Sequence, residues 1–156
     1  MIVQDLMTRP VITVRPETPV AEVARTMLAH NVSGVPVLDD TGCLVGIVTE
    51  KDLVVRNANV HFPTFLQILD ARIYLTSTRT FEEELRRALG TVARDVMTPE
   101  VHTVRPGDDV SVAATAMVDK GFNPIPVVDH GRLVGIISRS DVIRQILAQE
   151  TDGSSP

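Results

Sequence analysis

Two stretches of the chain place apolar residues at the same helical spacing. Val20, Val23, Ala24, Met27 and Leu28 form the first set, and Val110, Ala113, Ala114, Met117 and Val118 the second. Each set falls on one face of a helix and predicts one buried side. Thr18 as N-cap with Pro19 at the first helical position opens the first helix, and Asp108 as N-cap opens the second. Asn31 and Gly121 stand at the ends, and both tolerate the left-handed conformation that closes a helix. Beyond each helix the period changes. VPVLD and CLVGIV follow the first, IPVVD and RLVGII the second, and these near-continuous apolar runs predict strands buried on both faces. Turns at Asp39–Gly42 and around His130–Gly131 join the strands of each pair.

The recurrence extends beyond these elements. When residues 5–40 are set over 95–130, and 42–54 over 131–143, 20 of 49 paired positions are identical. D-L/V-M-T, T-V-R-P, P-V-x-D, L-V-G-I and T/S-x-x-D occur in the same order in both copies, which marks a duplication. DLMT and DVMT predict short helical turns, VITV and VHTV short strands ended by Arg-Pro, and Thr49 and Ser138 the starts of second helices. The fold expected is α/β: two β-α-β-β-α units packed face to face with pseudo-twofold symmetry, since neither could bury its sheet alone. Repeat one is assigned to residues 1–56, repeat two to 93–148 and a flexible tail to 149–156. Residues 57–92 have no counterpart. Phe65, Ile68, Leu69 and Ile73 form an apolar pattern there, and Thr80-Phe81-Glu82-Glu83 is a capping-box signature, so an inserted helical segment is expected.

Composition narrows the chemistry. Hydrophobic residues make up 44% of 156 and aromatics 3%, so the core is aliphatic. Phe62, Phe65, Phe81, Phe122 and Tyr74 show no clustering of the kind that stacks single-stranded nucleic acid. A net charge of −5 without a Lys/Arg run argues against a broad phosphate-backbone footprint. The lone Cys43 fits a reducing compartment, and neither a secretory signal nor a membrane-length apolar run is seen, so a cytoplasmic protein is expected. His30, His61, His102 and His130 are scattered without metal-ligand spacing, and no nucleophile and base are paired, so neither a metal site nor an enzyme is expected.

The motif GIVTEKD at 46–52 returns as GIISRSD at 135–141. As local chemistry, the hydroxyl caps a helix and the Asp three residues on reaches back, although Asp is short for that task. The same geometry offers a helix N-terminus to phosphate and a carboxylate to two vicinal hydroxyls, as on ribose, while Ile47 and Ile136 could sandwich a flat base. Capping and binding are compatible.

Taken together, D-x-M-T, T-V-x-P, x-P-V-x-D and L-V-G-I-[VI]-[TS]-x-x-D, in order and twice, resemble the CBS domain, and the pair resembles a Bateman module, over about residues 2–56 and 92–146. The resemblance implies a regulatory sensor that holds adenosine-containing ligands (AMP, ADP or ATP, S-adenosylmethionine or NAD) in clefts between the repeats. It implies ribose and phosphate contacts from Thr49 and Asp52, and from Ser138 and Asp141. It places Thr13 with Val35-Pro36, and Thr103 with Ile125-Pro126, by the base. Basic residues common before the P-V strand are replaced by Ser33-Gly34 and Asn123-Pro124. Phosphate binding is then expected to fall to helix N-termini and to Lys51, Arg139, Arg132 or His30. Because Arg139 stands within the second motif where Glu50 stands in the first, the site of Ser138 and Asp141 is expected to favour phosphate. The resemblance further implies a homodimer and a separate effector protein. The alternative is a structural or interaction module that takes no nucleotide.

Overall fold

The computed structural model describes residues 1–58 and 92–152. Repeat one contains α1 (Val3–Leu6), α2 (Val20–Ala29), β1 (Gly34–Leu38), β2 (Leu44–Thr49) and α3 (Glu50–Ala58). Repeat two contains α4 (Ala93–Val96), α5 (Val110–Asp119), β3 (Ile125–Asp129), β4 (Arg132–Ile137) and α6 (Arg139–Asp152). The expected inserted helical segment lies outside the described residues.

Each repeat is centred on an antiparallel hairpin, β1–β2 or β3–β4. The second closes tightly: His130 and Gly131 both have positive φ, 46° and 75°, which suits a two-residue turn between Asp129 and its partner Arg132. The first turn is longer. Asp39 holds it by accepting from the Thr41 and Cys43 amides at 2.9 Å and from the Thr41 hydroxyl at 2.7 Å. VITV and VHTV are not strands. Each contributes one parallel bridge, Val14 to Val37 and Val104 to Val127. The Arg-Pro that follows turns the chain away before a second residue pairs.

The helix starts also differ from expectation by one residue. Pro19 and Asp109 are the N-caps, and only Asp109 caps with its side chain, accepting from the Ser111 amide at 2.8 Å. Thr18 and Asp108 instead close the turns before them, accepting from the Arg15 and Arg105 amides at 3.0 and 2.8 Å. Asn31 and Gly121 do end their helices with positive φ, 51° and 69°. Residues 149–152, expected to open a flexible tail, belong to α6, which runs to Asp152, and the rest of that expected tail lies outside the described residues.

The repeats are interlocked. The turn α1 packs into the core of repeat two, where Val3 and Met7 join Val104, Met117, Ile125 and Ile137. Reciprocally, α4 gives Ala93 and Met97 to the core of repeat one. Thr8 bridges Ile136 at the edge of β4, and Thr98 bridges Ile47 at the edge of β2. Two glycines are fixed by this exchange: a Cβ on Gly46 would collide with Met97, and one on Gly135 with Met7. The Gly of L-V-G-I in one copy therefore makes room for the Met of D-x-M-T in the other.

Candidate functional site: two clefts between the repeats

Each second helix begins at the hydroxyl–Asp motif. Asp52 Oδ2 accepts from the Thr49 amide at 2.8 Å and from its hydroxyl at 3.1 Å. Asp141 Oδ2 accepts from the Ser138 amide and hydroxyl, both at 2.7 Å. Asp is thus long enough to complete the cap, and the cap occupies only one carboxylate oxygen. The other differs between copies. Among the described residues, Asp52 Oδ1 meets only the Thr98 hydroxyl, at 3.3 Å. Asp141 Oδ1 receives Arg144 Nη1 at 2.7 Å, and Asp141 is the buried member of that pair, 6% exposed against 72% for Arg144.

Two clefts of about 520 and 480 Å³ lie at these helix starts, a size that suits a small-molecule ligand. In cleft one, Ile47, Thr49, Lys51 and Asp52 of repeat one face Thr98, the segment 100–102 and the segment 120–124 of repeat two. In cleft two, Ile136, Ser138, Ser140 and Asp141 face Thr8, the segment 10–12 and the segment 30–34 of repeat one. Position for position these walls are duplicates. Ser33 and Pro124 line both clefts, and the side chains of Asn123 and Ser33 meet at 3.3 Å between them.

Arg139 corrects the sequence reading. It lines the cleft of Asp52, not that of its neighbours Ser138 and Asp141. One residue along a helix turns a side chain by about 100°. Arg139 Nη2 thereby reaches the Met117 carbonyl at 3.1 Å, while its amide donates to Asn123 Oδ1 at 2.9 Å. Its counterpart Glu50 lines cleft two as well as cleft one. Cleft one holds Lys51, Lys120 and Arg139, where cleft two holds Ser140, His30 and Glu50. Arg139, on which the phosphate preference expected at Ser138 and Asp141 rests, thus lines the other cleft, where Glu50 and Glu100 also stand, while Arg144 lines cleft two.

Other expected residues stand apart from the cleft walls. Val35, Pro36, Ile125 and Pro126 are fully buried, because hairpins covered on both faces turn successive side chains into packing. Only the residues just before them reach the clefts. Thr13 and Thr103 line neither cleft, one position beyond Ile12 and His102, which do. Arg132 lies at the turn end of β4, at the far end of that strand from Ser138, and lines neither. His30 does line cleft two and Lys51 cleft one. The helix N-termini are partly spoken for, since the Glu50 amide already donates to the Ser33 carbonyl at 2.9 Å.

Sequence reasoning missed the aromatic wall of cleft one. His102 and Phe122 stack with centroids 5.0 Å apart and planes 16° from parallel. Their counterparts in cleft two are Ile12 and Val32. The residues are 20 apart with α5 between them, so no local pattern joins them. Aligning the copies does show that both paired positions change from aliphatic to aromatic.

The fold defines a duplicated α/β pair with two clefts between its copies. The CBS domain profile matches residues 3–58 and 93–148. The chain belongs to the CBS domain family. It is 33% identical over 155 residues to the uncharacterized protein MJ1426 of Methanocaldococcus jannaschii, covering 94% of this chain and 92% of that one. It is 30% identical to the chloroplastic CBS domain-containing protein CBSX2 of Arabidopsis thaliana, of which it spans 62%. The crystal structure of CBSX2 in complex with AMP superposes with a TM-score of 0.71 over 94% of this chain and 97% of that one. The CBS domain pair of MJ0100, solved with 5′-methylthioadenosine and S-adenosyl-L-methionine, shares the fold at 23% identity and a TM-score of 0.69, over 96% of this chain and 98% of that one.

Proposed function

We propose that the chain is a regulatory module that binds adenosine-containing nucleotides, with cleft one as the tighter site. The observation that carries this reading is the composition of cleft one. Its facing walls bring together an Asp52 oxygen with one weak partner among the described residues, the cations Lys51, Lys120 and Arg139 beside the acids Glu50 and Glu100, and the stacked His102–Phe122 pair. A carboxylate suits a ribose diol, cations suit phosphate, and an aromatic face beside Ile47 suits a purine. The AMP complex of CBSX2 supports the same ligand class. S-adenosylmethionine and NAD share the adenosine half and remain within it.

Binding would bias the setting of two repeats that already exchange their opening turns, by no more than the ligand's differential affinity for the alternative settings. A homodimer and a separate effector protein belong to this reading. So does a non-enzymatic role. No helix among the described residues is long and apolar enough to cross a membrane.

Titration calorimetry with AMP tests the proposal. Wild type should bind, and Asp52→Ala should weaken the tighter phase by about tenfold or more, since hydrogen bonds to a charged group carry that much. Absence of heat and of any rise in melting temperature with millimolar AMP, ATP, NAD or S-adenosylmethionine would leave an interaction module without a nucleotide.

A further inference from the structure

The two Asp carboxylates carry the same cap and differ in their second oxygen. Among the described residues, a vicinal diol approaching Asp52 finds Oδ1 held only by the Thr98 hydroxyl at 3.3 Å, longer than a strong O–H···O bond. A diol approaching Asp141 finds Oδ2 taken twice by Ser138, and Oδ1 taken by the Arg144 guanidinium at 2.7 Å. That last bond is charge-assisted. Arg144 also lines cleft two. The first repeat has Val55 at this position, and among the described side chains none forms an ion pair with Asp52.

Resting on the nucleotide reading above, we propose that Arg144 sets the ligand class of cleft two by competing with the ligand for Asp141. With Arg144 in place, an uncharged nucleoside must share Oδ1 with the guanidinium or displace it, and it offers the released cation no partner. A ligand that carries a phosphate as well as a diol can break the pair and accept the released guanidinium. Arg144 is 72% exposed, so its bond to Asp141 is displaceable and its side chain is free to swing. Cleft two therefore discriminates by phosphorylation, although it has fewer cations than cleft one. Cleft one admits the uncharged nucleoside as well, and its cations add affinity for a phosphorylated one.

Methyl NMR separates the clefts, because Ile47 lines cleft one and Ile136 lines cleft two. Adenosine and AMP are titrated into wild type, Arg144→Val and Arg144→Lys. In wild type, adenosine should shift Ile47 well before Ile136, and AMP should narrow that gap. Arg144→Val should tighten adenosine at Ile136 by up to about fivefold, leave Ile47 unchanged, and remove the preference for AMP at Ile136. Arg144→Lys keeps a cation beside Asp141 and should stay within about twofold of wild type, which a merely structural role would not require. Unchanged or weaker adenosine binding at Ile136 in Arg144→Val, with Ile47 still responding, overturns the role of Arg144 alone. No response of either methyl to either ligand in any variant overturns the nucleotide reading and this role with it.

Discussion

Clefts one and two are built on one plan from duplicated segments, and they differ at a few side chains. The plan is set by packing: hairpin, capped helix start, and a Met–Gly contact reaching across to the other repeat. The differences are electrostatic and aromatic. Lys51, Lys120 and Arg139 face His30, Ser140 and Glu50 as counterparts, and His102–Phe122 faces Ile12–Val32. Packing constrains the shared positions because a buried collision costs more than an exposed charge. The cleft walls can therefore diverge while the scaffold cannot.

The largest effects should come from breaking what the repeats share. Gly46→Leu drives a side chain into Met97, and Gly135→Leu does the same to Met7. Each should lower stability by about 1–3 kcal/mol or more, as overpacking in a filled core does. Because each collision is between repeats, either variant should still unfold in one cooperative step by thermal denaturation. Two separated transitions would show that the halves are not interlocked as described.

Next come changes that should separate the clefts. The paired variants Asp52→Ala and Asp141→Ala remove equivalent helix caps, so each should lose about 1 kcal/mol of stability. Their effects on ligand should differ. Asp52→Ala should weaken the tighter AMP phase by about tenfold or more, whereas Asp141→Ala should leave that phase in place. Equal losses in calorimetry would make the clefts equivalent. Exchanging the charges in Glu50→Arg/Arg139→Glu should shift phosphate preference toward cleft two. An effect of about fivefold on ATP binding is expected, consistent with partly exposed charges.

A smaller effect tests the wall. His102→Ile/Phe122→Val gives cleft one the residues of cleft two. Loss of the stack should weaken AMP by about threefold to tenfold, in keeping with aromatic pairs of about 0.5–1.5 kcal/mol. Stability should change little, since Phe122 is partly exposed.

The duplication, both hairpins and most of each helix face were legible because their signals are periodic or local, but Leu28 and Val118, expected on the buried faces, are exposed. The first strands were not. VITV and VHTV have strand composition, but one bridge each is all that the following Arg-Pro leaves. The hydroxyl–Asp motifs were legible as caps and as cleft residues. Assigning Arg139 to the cleft of its sequence neighbours failed because adjacent helical residues diverge around the axis. The exchange of α1 and α4, the Met–Gly contacts and the His102–Phe122 stack join positions far apart in the chain. Only the folded arrangement brings them together.

The smallest expected effect lies in the helix caps, where the repeats also differ. Asp109 caps α5 with its side chain, whereas Pro19 gives α2 none. The Ser111 hydroxyl, followed by its amide, holds the Asp109 carboxyl below its ordinary value. A group whose folded pKa is depressed stabilises the fold above the ordinary carboxylate range and loses that contribution as pH falls through the folded value. Asp109→Asn keeps a capping oxygen and removes the titration. Its melting temperature should lie slightly below wild type at pH 7, and the gap should close as pH drops below about 4. A gap that stays constant down to strongly acidic pH would mean that the Asp109 charge contributes nothing, and that the two helix starts differ in geometry alone.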